Sequence, residues 1–153
     1  MRIFLTMLFL SVSGIAHAAV SFHFECTPKE KKCRVITLPT KEKINVNPAP
    51  VLTSTDIEYA SFSVMSNTES KSIEDKYFSV IKINFTEEGG KKLLHATENA
   101  KGRKLVFLED GQYMAAPVID APIANGSLEM KGDWQRKKAM DTVDKILKEI
   151  AHK

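Results

Sequence analysis

Cysteine is scarce in this chain: Cys26 and Cys33 are the only two among 153 residues. Two thiols cannot complete a four-cysteine zinc site, and they allow one bridge at most. Histidine is nearly as sparse. Beyond the first eighteen residues only His23, His95 and His152 remain, without metal-ligand spacing, so neither a metal site nor a cofactor is expected. There is no Gly-x-Ser-x-Gly elbow, no phosphate-cradling glycine loop and no thiol nucleophile with a partner base, and the chain is read as a non-enzyme. An excess of one charge is missing too. The 22 basic and 19 acidic residues are interleaved, whereas a nucleic-acid binder needs a concentrated basic face. The densest basic cluster, Lys29, Lys31, Lys32 and Arg34, reads as a solvated loop tip.

Long apolar runs are confined to the start. Arg2 precedes the apolar segment Ile3 to Val12, and Ala16-His17-Ala18 has the small-x-small form of a cleavage site. This is the pattern of a secretory signal peptide cut between Ala18 and Ala19. The run is shorter than the ~20 residues of a spanning helix. Cys26 lies too far along to mark a lipoprotein. Removing the leader takes away Arg2 and no acid, so the formal charge falls from +3 to +2. The expected product is a soluble periplasmic or secreted chain with no membrane span and no nucleic-acid partner. It is long enough for one domain with a core.

An exported chain meets an oxidising compartment, so Cys26 and Cys33 are read as a disulfide. Val20-Ser-Phe-His-Phe and Val35-Ile-Thr-Leu have strand composition, which makes Thr27 to Lys32 the tip of a pinned hairpin. The spacing is not the Cys-x-x-Cys of a redox motif. Leu38 to Pro50 is a connection with a short edge strand at Lys43 to Val46. Residues 19–49 therefore read as an amino-terminal hairpin and connection, and 50–153 as an α+β domain.

Within that domain, Tyr59 to Met65 and Tyr77 to Phe85 alternate as strands, with a polar turn from Ser66 to Asp75 between them. Thr86 is placed to cap a helix running to Ala100, with Glu87 and Glu88 in its first turn. The helix-weakening pair Gly89-Gly90 implies close packing against a neighbouring strand. Leu105 to Leu108 and Tyr113 to Ala116 form a hairpin about Asp110-Gly111, and Pro117 and Pro122 break its return into an irregular edge. Leu128 to Lys131 is a last strand. Gly132-Asp133 opens a final helix whose buried stripe is Met140, Val143, Leu147 and Ile150, widened by Ile146, with Asp141–Lys145 and Asp144–Lys148 pairs outside.

With this spacing laid out, Asp110-Gly111, Ala116-Pro117, Ile119, Ile123, Gly126, Met130 and Gly132 resemble the signature of the head subdomain in the first periplasmic domain of SecD, the export-assisting partner of the Sec translocon. Glu88-Gly89, Thr97, Gly102-Arg103-x-Leu105, Leu52-Thr53, Asp56-Ile57 and Ala60 resemble upstream positions of that family. Trp134 stands where a Phe is usual, with Ala139 five residues on. The resemblance covers about residues 50–150. It departs at Tyr113 and Ala115, where a small aliphatic residue and Ser are common, and the disulfide hairpin has no counterpart in it.

The resemblance implies an α+β fold: a small mixed or antiparallel sheet carrying two main helices, preceded by the disulfide-pinned hairpin. It also implies a detached head module, read here without the base subdomain and membrane helices that couple SecD to protons. Contact with exported or non-native polypeptide is the role such a module can keep, with Tyr113, Met114 and Trp134 as candidate peptide contacts. Core packing is the competing role for these three. The alternative function is an envelope accessory or inhibitor protein that binds one dedicated folded partner.

Overall fold

Five consecutive buried residues make up the strand Leu105–Glu109 (β7), and a strand buried on both faces belongs at the centre of a sheet. In the computed structural model, which describes residues 18–66, 77–132 and 134–153, it does. β7 pairs antiparallel with the amino-terminal strand Val20–Phe24 (β1) and with Gln112–Ala115 (β8). The short strand Leu52–Thr53 (β4) flanks β1, giving the order β4-β1-β7-β8. Two further antiparallel sheets complete the set. Arg34–Thr37 (β2) pairs with Lys43–Val46 (β3), and Ile57–Ser66 (β5), Tyr77–Phe85 (β6) and Ser127–Lys131 (β9) lie in the order β5-β6-β9.

Side-chain alternation assigns the faces of the four-stranded sheet. Val20, Phe22, Phe24, Leu105 and Phe107 enter the main core, where Phe22 stacks on Phe107 at 5.0 Å and meets Phe85 of the β5-β6-β9 sheet edge-on at 5.6 Å. Val106 and Leu108 face the other way and are covered by Ile36, Ile44 and Val46 of the β2–β3 hairpin. Both helices, Glu87–Thr97 (α1) and Arg136–Ala151 (α2), contribute to the main core, α1 through Leu93 and α2 through Ala139, Val143 and Ile146. The α+β class, the antiparallel sheets and the two packed helices follow the sequence reading.

The disulfide Cys26–Cys33 is present, with its Cα atoms 6.4 Å apart. The strands on either side of it do not pair with each other. β1, whose residues are buried on both faces, is drawn to β7, while the mostly exposed β2 turns back on β3. The bridged loop therefore joins two sheets instead of tipping one hairpin. Backbone bonds reinforce the join, from Cys26 N to Asn45 O at 2.8 Å and from Asn47 N to Phe24 O at 2.9 Å.

Other local expectations shift in register. Thr86 caps α1 as read, its Oγ1 accepting from Gly89 N at 3.0 Å. Gly89 packs not on a strand but on a single 3₁₀ turn, Ser54–Asp56. A Cβ on Gly89 would lie 2.4 Å from the Asp56 carbonyl oxygen. Asp110 (φ 48°) and Gly111 (φ 77°) both adopt the left-handed region, the condition for a two-residue hairpin of the I′ type. The final helix begins at Arg136, not at Gly132. Its buried stripe runs through Ala139, Thr142, Val143 and Ile146, leaving Met140 exposed. Asp141 pairs with Lys137 at 2.8 Å, and Lys145 reaches across to Asp110 and Glu109. Most of the signal peptide (residues 1–17) and most of the polar turn (residues 67–76) lie outside the described residues. No described helix is long and apolar enough to cross a membrane.

Candidate functional site between two sheet edges

Two edge strands from different sheets, β8 and β9, border one groove of about 510 Å³. β8 supplies Tyr113, Met114 and Ala115, and the end of β9 supplies Lys131, followed by Gly132 and Trp134. Phe78 of β6 and the β2–β3 turn at Leu38 to Thr40 form the remaining walls. The three candidate peptide contacts, more than twenty residues apart at their extremes, are thus brought to one place. Their burial differs. Met114 is buried against the main core, whereas Tyr113 and Trp134 are half-buried.

Trp134 owes its position to Gly132. A Cβ on Gly132 would lie 2.4 Å from the indole ring, so only glycine lets the ring lie across the backbone there. The indole Nε1 is buried and has no hydrogen-bond partner among the described residues. A buried donor without a partner carries the cost of its lost hydration. Beside it, the Lys131 ammonium sits 4.8 Å from the centre of the Phe78 ring, a cation–π contact that keeps a positive charge at an apolar wall.

Charge behind the groove is fixed by Glu109, a buried carboxylate at the end of β7. It accepts from Lys138, whose side chain lines the groove, and lies 3.6 Å from Lys145. Lys145 also binds Asp110 in the hairpin turn. The hydrogen bond to Asp110 is the main reason that its ammonium titrates above the usual lysine value. Asp110 therefore has a structural partner, in line with its reading as a turn residue.

The histidines occupy separate elements. His23 is buried in β1, its Nδ1 donating to Asn47 O at 2.8 Å and its Nε2 accepting from Ser21 Oγ at 2.9 Å. His95 is exposed on α1, 3.4 Å from Glu98, and His152 ends α2. Among the described residues no three His, Cys, Asp or Glu side chains are grouped to hold a metal ion. Lys29, Lys31, Lys32 and Arg34 are exposed around the disulfide loop.

Phe78, Lys131 and the Leu38–Thr40 turn were not legible as site residues. Phe78 alternates like any strand residue, and only the pairing of β6 with β9 brings it to the groove. The signature glycines and polar residues are better explained. Gly89 admits the Asp56 carbonyl, and Gly126 turns with φ 63° beside Gly90. Thr97 donates its hydroxyl to the Leu93 carbonyl at 2.8 Å and accepts from Ile123 N at 2.9 Å.

Comparison with known proteins agrees with this architecture. The protein translocase subunit SecD of Acidaminococcus fermentans is 33% identical over 60 residues, 39% of this chain and 14% of that protein. Two solved structures of SecDF, described as "a membrane component SecDF that enhances protein export" and as SecDF "in Super-membrane-facing form", each match at a TM-score of 0.59 and 20% identity. Each match covers 84% of this chain, and 61% and 18% respectively of the matched chain. This chain thus spans only part of each relative, and the structural likeness concerns the fold. The model of the SecDF P1 head subdomain matches residues 30–146, starting inside the disulfide loop and not at residue 50 as the motifs alone suggested. With that model covering most of its length, the chain belongs to the SecDF P1 head subdomain family.

Proposed function

We propose that this protein is a non-catalytic, extracytoplasmic binding module that holds extended or non-native polypeptide in the groove between β8 and β9. The observation that carries the reading is the convergence of Tyr113, Met114 and Trp134 on a groove bordered by two sheet edges. An extended segment can add to a sheet edge through main-chain hydrogen bonds, which are indifferent to sequence. Apolar walls, Phe78 and the half-buried Tyr113 among them, then take alternate side chains.

Family membership supports a place in protein export, since the matched SecDF is described as enhancing it. The leader read at residues 1–18 supports the extracytoplasmic compartment.

The test is titration calorimetry of the oxidised chain from Ala19 onward against a reduced, permanently unfolded protein and against its folded form. Binding of the unfolded form alone is expected. It should weaken at least tenfold in Tyr113→Ser with Met114→Gln, and also in Phe78→Ser, a substitution on the opposite wall that spares the buried Met114. Each variant must keep a cooperative unfolding transition. Binding to neither form would overturn the reading and direct attention to one dedicated folded partner, sought by pull-down from an envelope extract.

A further inference from the structure

Ala19, the first residue after the cleavage site read from the sequence, is held at both of its backbone groups. Its carbonyl accepts from Asp110 N at 2.8 Å, and its nitrogen lies 3.1 and 3.3 Å from the two carboxylate oxygens of Glu149 in α2. The carboxylate is itself oriented. Ser54 donates its hydroxyl to the same Glu149 at 2.6 Å, and Lys153 reaches the Ser54 carbonyl at 2.6 Å. Three distant parts of the chain, its first described strand, the 3₁₀ turn and its last helix, thus meet around one nitrogen.

While Ala18 is attached, that nitrogen is an amide with a single proton to share between two carboxylate oxygens. Hydrolysis of the Ala18–Ala19 bond consumes one water, leaves a carboxylate on Ala18 and turns the Ala19 nitrogen into an ammonium with three protons and a full positive charge. We propose that Glu149, positioned by Ser54, is a receptor for the α-ammonium created by this cleavage, so that processing at Ala19 locks β1 onto α2. The proposal rests on the cleavage site and is independent of polypeptide binding. The amide already donates to an ionised acceptor; cleavage makes the donor ionised as well and gives each carboxylate oxygen its own proton, which strengthens the contact. A carboxylate at hydrogen-bonding distance also favours the charged amine and raises its pKa.

The sign of the pH effect follows. Because the folded value lies above the ordinary 7.7–8.0 of an α-amine, the added stability is complete below about pH 7. It disappears as the pH rises through the folded value.

The first experiment is intact-mass analysis of the exported protein, which should start at Ala19; a different first residue overturns the proposal. The second compares the chain starting at Ala19 with the same chain N-acetylated, each with and without Glu149→Gln, a change that keeps an acceptor for Ser54. The free amine should titrate about one pKa unit above the ordinary value, and Glu149→Gln should return it. The free-amine chain should melt at a higher temperature than the acetylated one at pH 6.5 and at the same temperature at pH 10. Glu149→Gln should abolish that difference. An unshifted amine, or an equal effect of Glu149→Gln in both forms, would show that the carboxylate serves only as an amide acceptor and would overturn the proposal.

Discussion

The buried His23 shows how one residue sets the behaviour of a strand. Burial in β1 is the main cause of its lowered pKa. The nearby Arg34 adds to the effect, and the bond to Asn47 opposes it. The ring is therefore neutral when folded, with its proton on Nδ1, and becomes protonated more easily once the chain unfolds. Stability from this group is complete above the ordinary value of 6.5 and is lost as the pH falls from there toward the folded value. Unfolding by urea should show stability falling as the pH is lowered from 7 to 5, because the unfolded chain takes up this proton more readily than the folded one. His23→Gln should flatten the slope over that interval; an unchanged slope would assign the loss to other groups. The histidine was legible only as a non-ligand, because its burial depends on β3 and the Asn47 carbonyl. Gly89 was clearer: a glycine in the first turn of a helix implies a close neighbour, but its identity, the Asp56 carbonyl, is set by tertiary structure.

At the scale of elements, the irregular segment after β8 is held mainly by backbone bonds to the residues that lead into β7, with one side-chain bond farther on. Pro117 and Pro122 interrupt strand pairing as the sequence indicates, yet Leu105 N still bonds Pro117 O and Ile119 N bonds Arg103 O, both at 2.9 Å. Farther on, the Thr97 hydroxyl in α1 accepts from Ile123 N. Thr97→Val keeps the shape but leaves that amide without its acceptor, an expected loss of about 1–3 kcal/mol in urea unfolding. Faster hydrogen exchange at Ile123 would localise the effect, and an unchanged rate there would exclude this contact as the cause. Strands, caps and turns of this region were legible because each has a local signal: alternation over Tyr77 to Phe85, a Thr before Glu87-Glu88, and an Asp-Gly pair at the hairpin. The start of the last helix and its exposed Met140 were not. Several helical faces fit its apolar residues, and packing on β5 and β6 selects the one through Ala139 and Thr142.

Across the whole molecule, the disulfide contributes to stability without deciding the fold. Closing its eight-residue loop contributes about 2–3 kcal/mol in the chain-entropy model, against a total of roughly 5–15 kcal/mol for an ordinary domain. Cys26→Ser with Cys33→Ser should lower the unfolding free energy by that amount and preserve the native near-ultraviolet dichroism, because β3 is also joined to β1 by backbone bonds. Loss of the native spectrum would make the bridge a condition of folding. The groove was half legible. Its apolar residues could be named from the sequence, but their convergence depends on which strands become edges, a property of topology alone. The same topology governs the order in which the chain can fold. β1 pairs with β7, Phe24 opposite Leu105 and Val20 opposite Glu109, so the first strand meets its partner only across some eighty residues of chain. A polypeptide delivered amino end first shows β1 long before β7 arrives, and the central sheet cannot close on the way. The strand pairing that closes the central sheet thus also sets how late in the chain that sheet can form.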